Sequence, residues 1–249
     1  MRANHQGLAG SVRRLFQLLR GEGLLAAIRA VRAFVLLKLH KSLVDSHHEK
    51  LESVATNTVI EIEPHMVVGT NAAHAIHYSP TPRKIFKWLM ESVPLDITQC
   101  TFVDYGSGRG RVLMAAAKLP FKQVIGIEFA KELHGDAQKN LAAMPRGMKR
   151  ARSVHSMNTD ATMFEIPVGP CVLYLYKPFT GEVLDAVLKN ISRARASRKA
   201  EVYCVFFNME NLDKIETQYR FECCKLPFWS GLKLKLFAPY PYAICRVLP

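Results

Sequence analysis

From Thr101 onward the chain alternates short apolar runs with stretches of helical periodicity. The runs Thr101–Tyr105 (TFVDY), Gln123–Glu128 (QVIGIE), Cys171–Tyr176 (CVLYLY) and Glu201–Phe207, with a more polar one at Arg152–Met157, have the length of strands. Between them the spacing predicts helices over Arg109–Lys118, Lys131–Ala143 and Gly181–Arg195. Repeated strand-helix alternation specifies a parallel sheet covered on both faces. Near the end, RFECCKLPFW and KLKLFAPYPYAICRVL are two strand-like runs joined at Ser230–Gly231, after a short helix at about Leu212–Gln218, and predict an antiparallel pair. Upstream, in HAIHYSPTPRKIFKWLMESVPLD, Pro80 and Pro82 set an extended turn and Thr81 is a candidate helix cap. Ile85, Phe86, Trp88 and Leu89 then fall at helical spacing that ends before Pro94.

The first 45 residues follow another pattern. Apolar residues are punctuated by Arg13, Arg14, Arg20, Arg29, Arg32, Lys38 and Lys41, and Glu22 is the one acid before Asp45. Gly21 and Gly23 are expected to split this segment into two helices with a basic edge. Arg29 and Arg32 interrupt any stretch that approaches the roughly 20 apolar residues a bilayer core requires. The segment therefore reads as an amphipathic helix lying on the main domain or on a partner. Attachment to an anionic membrane surface, or an Arg-rich organellar presequence, is the alternative. Residues 46 to 68 are polar and then strand-like, which divides the chain into an extension and linker, 1–68, and a main domain, 69–249.

Length and composition agree with one main domain: 249 residues, 49% hydrophobic and 22% charged, can bury a core. A formal net charge of +13 favours anionic partners without choosing among nucleic acid, acidic lipid and an acidic protein face. No nucleic-acid recognition module supports the first of these. The six cysteines contain no C-x-x-C pair and no signal peptide precedes them, so they are read as reduced thiols of a cytoplasmic protein, with no metal site. His65, His74 and His77 cluster before the proline turn, but their spacing matches no usual ligand pattern.

The chemistry concentrates in TFVDYGSGRGRVLMAAAKL, where an apolar strand breaks into Gly106, Gly108 and Gly110 at a helix start. Such a turn admits a ligand because no Cβ blocks approach and backbone amides are expected to be free. No Lys-Ser or Lys-Thr follows the glycines, which argues against a phosphate loop for nucleoside triphosphates. A dinucleotide fingerprint is excluded too, because the third glycine position holds Arg111 in one register and Leu113 in the other.

What remains is an acid followed by alternating glycines, Asp104, Gly106, Ser107, Gly108 and Gly110, then Glu128 at the end of the next run, Asp160 in NTDATMF and the segment LYLYKPF. This ordered set resembles the class I S-adenosylmethionine-dependent methyltransferases, over about Tyr78 to Leu248. The texture is similar to bacterial methyltransferases of unassigned substrate and, more distantly, to protein-lysine methyltransferases outside the SET class. The resemblance implies a Rossmann-like α/β fold, a mostly parallel seven-stranded sheet with a C-terminal antiparallel hairpin. It also implies S-adenosylmethionine as cofactor. In that pattern the glycine turn holds the amino-acid portion, Glu128 accepts hydrogen bonds from the ribose hydroxyls and Asp160 contacts the adenine. Tyr78 and Thr81 lie where some relatives carry a loop that closes on the cofactor. Each piece also has a purely structural explanation: turn glycines, a solvated strand end, a helix cap at Asp160 or Thr81.

Tyr176, Lys177, Pro178 and Phe179 occupy the methyl-transfer position implied by the resemblance. Lys177 departs from the pattern, since an ammonium has three donors and no acceptor where an amide or carboxylate side chain accepts from the substrate nitrogen. Three readings stay open: Lys177 faces solvent while the Tyr176 carbonyl and the Phe179 ring form the site, it binds an anionic substrate group, or activity has been lost. The expected reaction is N-methylation of a protein acceptor by in-line transfer. The alternatives are a small-molecule methyltransferase and a non-catalytic scaffold.

Overall fold

In the computed structural model the described residues are 24–40, 80–197, 199–209 and 211–249. Tyr78, the three clustered histidines and the 68/69 boundary lie outside them. Seven strands form one sheet in the order β3-β2-β1-β4-β5-β7-β6. These are β1 (Thr101–Tyr105), β2 (Gln123–Glu128), β3 (Val154–Asn158), β4 (Cys171–Tyr176), β5 (Val202–Phe207), β6 (Phe221–Cys223) and β7 (Tyr242–Val247). The first five pair in parallel, and β7 runs antiparallel to both β5 and β6. The helices are α1 (Leu24–His40), α2 (Arg83–Met90), α3 (Arg111–Ala117), α4 (Lys131–Ala143), α5 (Gly181–Ala196), α6 (Leu212–Tyr219) and α7 (Phe228–Phe237).

Burial follows the two-residue period of the strands. Phe102, Val124, Val172, Tyr174, Val205 and Phe207 face a core shared with α2, α3 and α7. Val103, Ile127, Leu173, Leu175, Cys204 and Phe206 face a second core under α5 and α6. Strands β1 and β5 are buried at every position, as befits strands covered on both sides. The sheet order reverses at β1, so its carboxyl end and that of β4 open a crevice between crossovers leaving in opposite directions, the place where open α/β sheets bind ligands.

Two local expectations are corrected. The antiparallel terminal pair exists, but α7 joins its strands in place of a tight turn at Ser230–Gly231. The alternation in KLKLF resembles a strand, yet Pro227 starts a helix in which the Gly231 amide bonds the Pro227 carbonyl and Leu234 is fully buried in the first core. Thr81 does not cap α2 either. Pro82 holds the cap position, with no side-chain bond, and the Thr81 hydroxyl instead lies 3.2 Å from the Tyr174 hydroxyl.

The expected split at Gly21 and Gly23 lies outside the described residues, and α1 reaches the domain through polar contacts. Arg32 donates to the carbonyls of Lys235, Leu236 and Ala238 at 2.9–3.1 Å, and His40 Nε2 lies 3.1 Å from the Phe237 carbonyl. These are the carbonyls that a helix end leaves without intrahelical partners, so a guanidinium there both satisfies them and complements the helix dipole. Among the described residues no helix is long and apolar enough to cross a membrane.

Candidate active site

The glycine turn is built on left-handed backbone: φ is +75° at Gly106, +51° at Gly108 and +79° at Gly110. A Cβ at Gly106 would come within 2.7 Å of Pro178 Cβ, and one at Gly110 within 3.1 Å of Ala137 Cβ. The turn is thus sterically shut to side chains on the side of the β4 loop and on the side of α4.

The expectation of free amides in this turn fails. Gly106 and Ser107 both donate to the Ile127 carbonyl at 2.9 Å, and Gly110 donates to the Ser107 carbonyl at 2.9 Å. The Gly108 amide donates to Glu128 Oε2 at 2.7 Å. The strand-end acid organises the turn because β2 lies beside β1, and a loop leaving β1 meets the end of β2. What the glycines contribute is backbone conformation and the absence of side chains. Helix α4 braces the same turn: Asp136 pairs with Arg109 at 3.0 Å, and Asn140 donates to the Arg109 carbonyl at 2.9 Å.

Glu128 is buried, and its Oε1 accepts from the Ala130 amide at 2.9 Å. Burial pushes its carboxyl up to about 7, against the opposing pull of these backbone donors. Asp104, also buried, is pushed well above the usual carboxylate range by burial first and by the charge of Glu128 second. It pairs in register with Gly126 and Tyr174 and does not line the cleft described below. Ser107 turns its hydroxyl over Gly126, where an added Cβ would lie 2.7 Å from Oγ.

Beside the turn, a cleft open to solvent is lined by Gly106, Ile127, Phe129, Thr159, Asp160, Ala161, Pro178, Phe179 and Val183. Its walls are mostly apolar, as in small-ligand sites generally. Asp160 Oδ1 accepts from the Thr162 amide and hydroxyl at 2.8 and 2.7 Å, capping the turn Ala161–Met163. The helix-cap role and a place in the cleft therefore coexist in one residue.

Tyr176, Lys177, Pro178 and Phe179 leave β4 at the edge of this cleft. Lys177 has φ +38°, a left-handed conformation rare for a lysine, and it precedes a proline. The Tyr176 ring turns away from the cleft toward Phe207 and Tyr240, with centroids 4.8 and 6.2 Å off, whereas Phe179 packs edge-on to Tyr105. The sequence reading brought together Gly106, Asp160, Pro178 and Phe179 but missed Ile127, Phe129, Thr159, Ala161 and Val183. Phe129 was within reach of it, because it directly follows the strand-end acid. Arg111 was missed as well: it is buried, and its Nε donates to the Thr81 carbonyl at 2.7 Å, tying the start of α3 to the segment before α2.

S-adenosylmethionine fits what is present. The glycine turn presents backbone without side chains, and the Glu128 carboxylate retains acceptor capacity beyond the backbone amides it already holds. A mostly apolar cleft adjoins both.

No protein-family model matches the chain. It is 32% identical over 98 residues to ribosomal protein L11 methyltransferase of Dechloromonas aromatica, a match covering 39% of this chain and 29% of the relative. It is 27% identical over 199 residues to the protein of the same name from Actinobacillus pleuropneumoniae, covering 76% of this chain and 60% of the relative. The chain thus spans less than two thirds of the length of either relative. The solved ribosomal protein L11 methylase of Lactobacillus delbrueckii superposes with a TM-score of 0.41 at 14% identity, over 76% of this chain and 84% of that one. With five parallel strands closed by an antiparallel β7 in the order 3-2-1-4-5-7-6, and with its glycine turn bonded to the acid that ends β2, the chain has the class I S-adenosylmethionine-dependent methyltransferase fold.

Proposed function

We propose that the chain is an S-adenosylmethionine-dependent methyltransferase that methylates a nitrogen of a protein acceptor. The observation that carries this reading is the convergence of three features at one sheet end: the left-handed glycine turn, the buried Glu128 bonded to it, and the apolar cleft between β2 and β4. Glu128 would hold the ribose hydroxyls, since a carboxylate presents two oxygens spaced for a vicinal diol. Phe129, Ala161, Phe179 and Val183 would enclose the adenine, with Asp160 at its rim. Gly106, Ser107, Gly108 and Gly110 would let the amino-acid portion approach the backbone, with Asp104 beneath them and with Thr81 and Tyr78 on the segment before α2. The cofactor, when bound, supplies a methyl group on a sulfonium sulfur.

The chain's own task is alignment and proton handling. An amine acceptor must present a lone pair, and the ammonium of Lys177 offers it no acceptor. Backbone carbonyls at the end of β4 are therefore assigned to hold the acceptor nitrogen, and Phe179 and Pro178 the wall beside it. The unusual backbone at Lys177 supports this, because strained φ values persist where the surrounding structure holds a segment for function. A protein acceptor is favoured by the names of the two relatives. In this reading residues 69–249 are the cofactor domain and 1–68 an extension to it.

The test is calorimetric titration with S-adenosylmethionine and S-adenosylhomocysteine, beside Gly108→Arg and Glu128→Ala. Micromolar binding that Gly108→Arg abolishes and Glu128→Ala weakens is the expected result; labelled-methyl transfer to protein in a cell extract then identifies the acceptor class. A folded wild-type chain that binds neither ligand overturns the reading.

A further inference from the structure

Twelve of the sixteen exposed large apolar side chains among the described residues belong to α1 and α7. Leu24, Leu25 and Phe34 of α1 are 54–70% exposed, and Phe228 and Trp229 at the start of α7 are 73% and 69% exposed. The two helices meet: Arg32 and His40 of α1 bond the last carbonyls of α7 and the residue after it. The helices are thus neighbours at the C-terminal end of α7, and together they leave more apolar side chains unburied than a water-facing surface requires.

The charges of this region are of one sign. Neither helix contains an acidic residue, and Arg29, Lys38, Lys233 and Lys235 are exposed on them. A second copy of the chain, seated face to face, would set these cations against their like and find no carboxylate on either helix to pair with them. An anionic lipid surface answers both features. Its acyl boundary accepts apolar side chains, its headgroups attract flanking Lys and Arg, and a tryptophan settles at the interface between the two.

We propose that the joined face of α1 and α7 docks this protein on an anionic lipid surface, with Phe228 and Trp229 inserted at the headgroup boundary. The face is distinct from the cofactor cleft, so this inference does not depend on the methyltransferase reading.

The experiment is sedimentation of the full chain with vesicles of phosphatidylcholine alone, and with vesicles containing phosphatidylglycerol, at low and high salt. The expected result is binding to the anionic vesicles that weakens with salt, with a blue shift of tryptophan emission as Trp229 leaves water. Phe228→Ser with Trp229→Ser should lower the bound-to-free ratio at least about tenfold. Lys233→Glu with Lys235→Glu should abolish the preference for anionic vesicles. Unchanged thermal melting confirms that both variants fold, as replacement of exposed side chains should allow. Failure of wild type to sediment with anionic vesicles overturns the proposal, as does binding undiminished by loss of the aromatic pair. Self-association that the aromatic variant abolishes, without vesicle binding, would assign the face to a second copy and overturn it too.

Discussion

The carboxylate of Glu128 at the end of β2 holds the amide of Gly108 in the turn after β1, at 2.7 Å across 20 residues of sequence. One acid therefore shapes the glycine turn and stands beside the cleft. Replacement by alanine should strand the Gly108 and Ala130 amides, at a cost of about 1–3 kcal/mol for each donor left buried and unpaired. It should also weaken S-adenosylmethionine binding by tenfold or more. Urea unfolding and calorimetry on the same variant separate the two losses.

The same burial gives a pH dependence of definite sign. Glu128 titrates at about 7 in the fold against an ordinary 4.5, so the folded chain holds a proton that the unfolded chain releases. Stability from this group is full below pH 4.5 and is lost as pH rises to about 7, on the order of 3 kcal/mol in all. Asp104, shifted the same way, adds to the slope. Urea midpoints of the unliganded chain should fall between pH 5 and 8, less steeply in Glu128→Ala. Affinity for S-adenosylmethionine should move oppositely, rising through pH 7, because diol hydroxyls donate to the ionised carboxylate.

Two glycines predict opposite outcomes on alanine substitution. At Gly106 the backbone is left-handed and Pro178 blocks a Cβ, so Gly106→Ala should destabilise by about 1–3 kcal/mol and displace the β4 loop. Gly135, in the middle of α4, has nothing within 4 Å of an added Cβ, and Gly135→Ala should stabilise by about 0.5–1 kcal/mol. Thermal melts of the two variants check the pair.

Lys177→Asn should be neutral to stabilising by a few tenths of a kcal/mol, since asparagine tolerates left-handed backbone better than lysine. Lys177→Val, β-branched at the same φ, should destabilise by about 1–2 kcal/mol. Once an acceptor is known, unchanged KM in Lys177→Asn would place the ammonium outside substrate binding, and a large rise would give it an anionic group to hold.

Arg32→Ala removes the donors that satisfy the carbonyls ending α7. It should loosen α1 from the domain with a loss of about 1 kcal/mol and accelerate tryptic cleavage within α1, at Arg29 and Lys38, relative to the core. Equal cleavage rates in wild type and variant would contradict the capping role.

Strand period, helix period and the order of glycine turn, Glu128, Asp160 and LYLYKPF were legible in the chain because each depends on neighbours within a few residues. They determined the α/β class, the parallel core of the sheet and which segments meet at its carboxyl edge. The tertiary structure decided what depends on distant partners. KLKLF became a helix because Leu234 found the core beside α2, and Thr81 left its capping role for Tyr174, 93 residues away. The amides of the glycine turn are filled from β2 and from the turn itself, a matter of which strand lies next to β1. Arg32 ends as the cap of a helix about 200 residues later, a pairing that no local pattern encodes, because the carbonyls it satisfies come within its reach only once α7 has formed and packed.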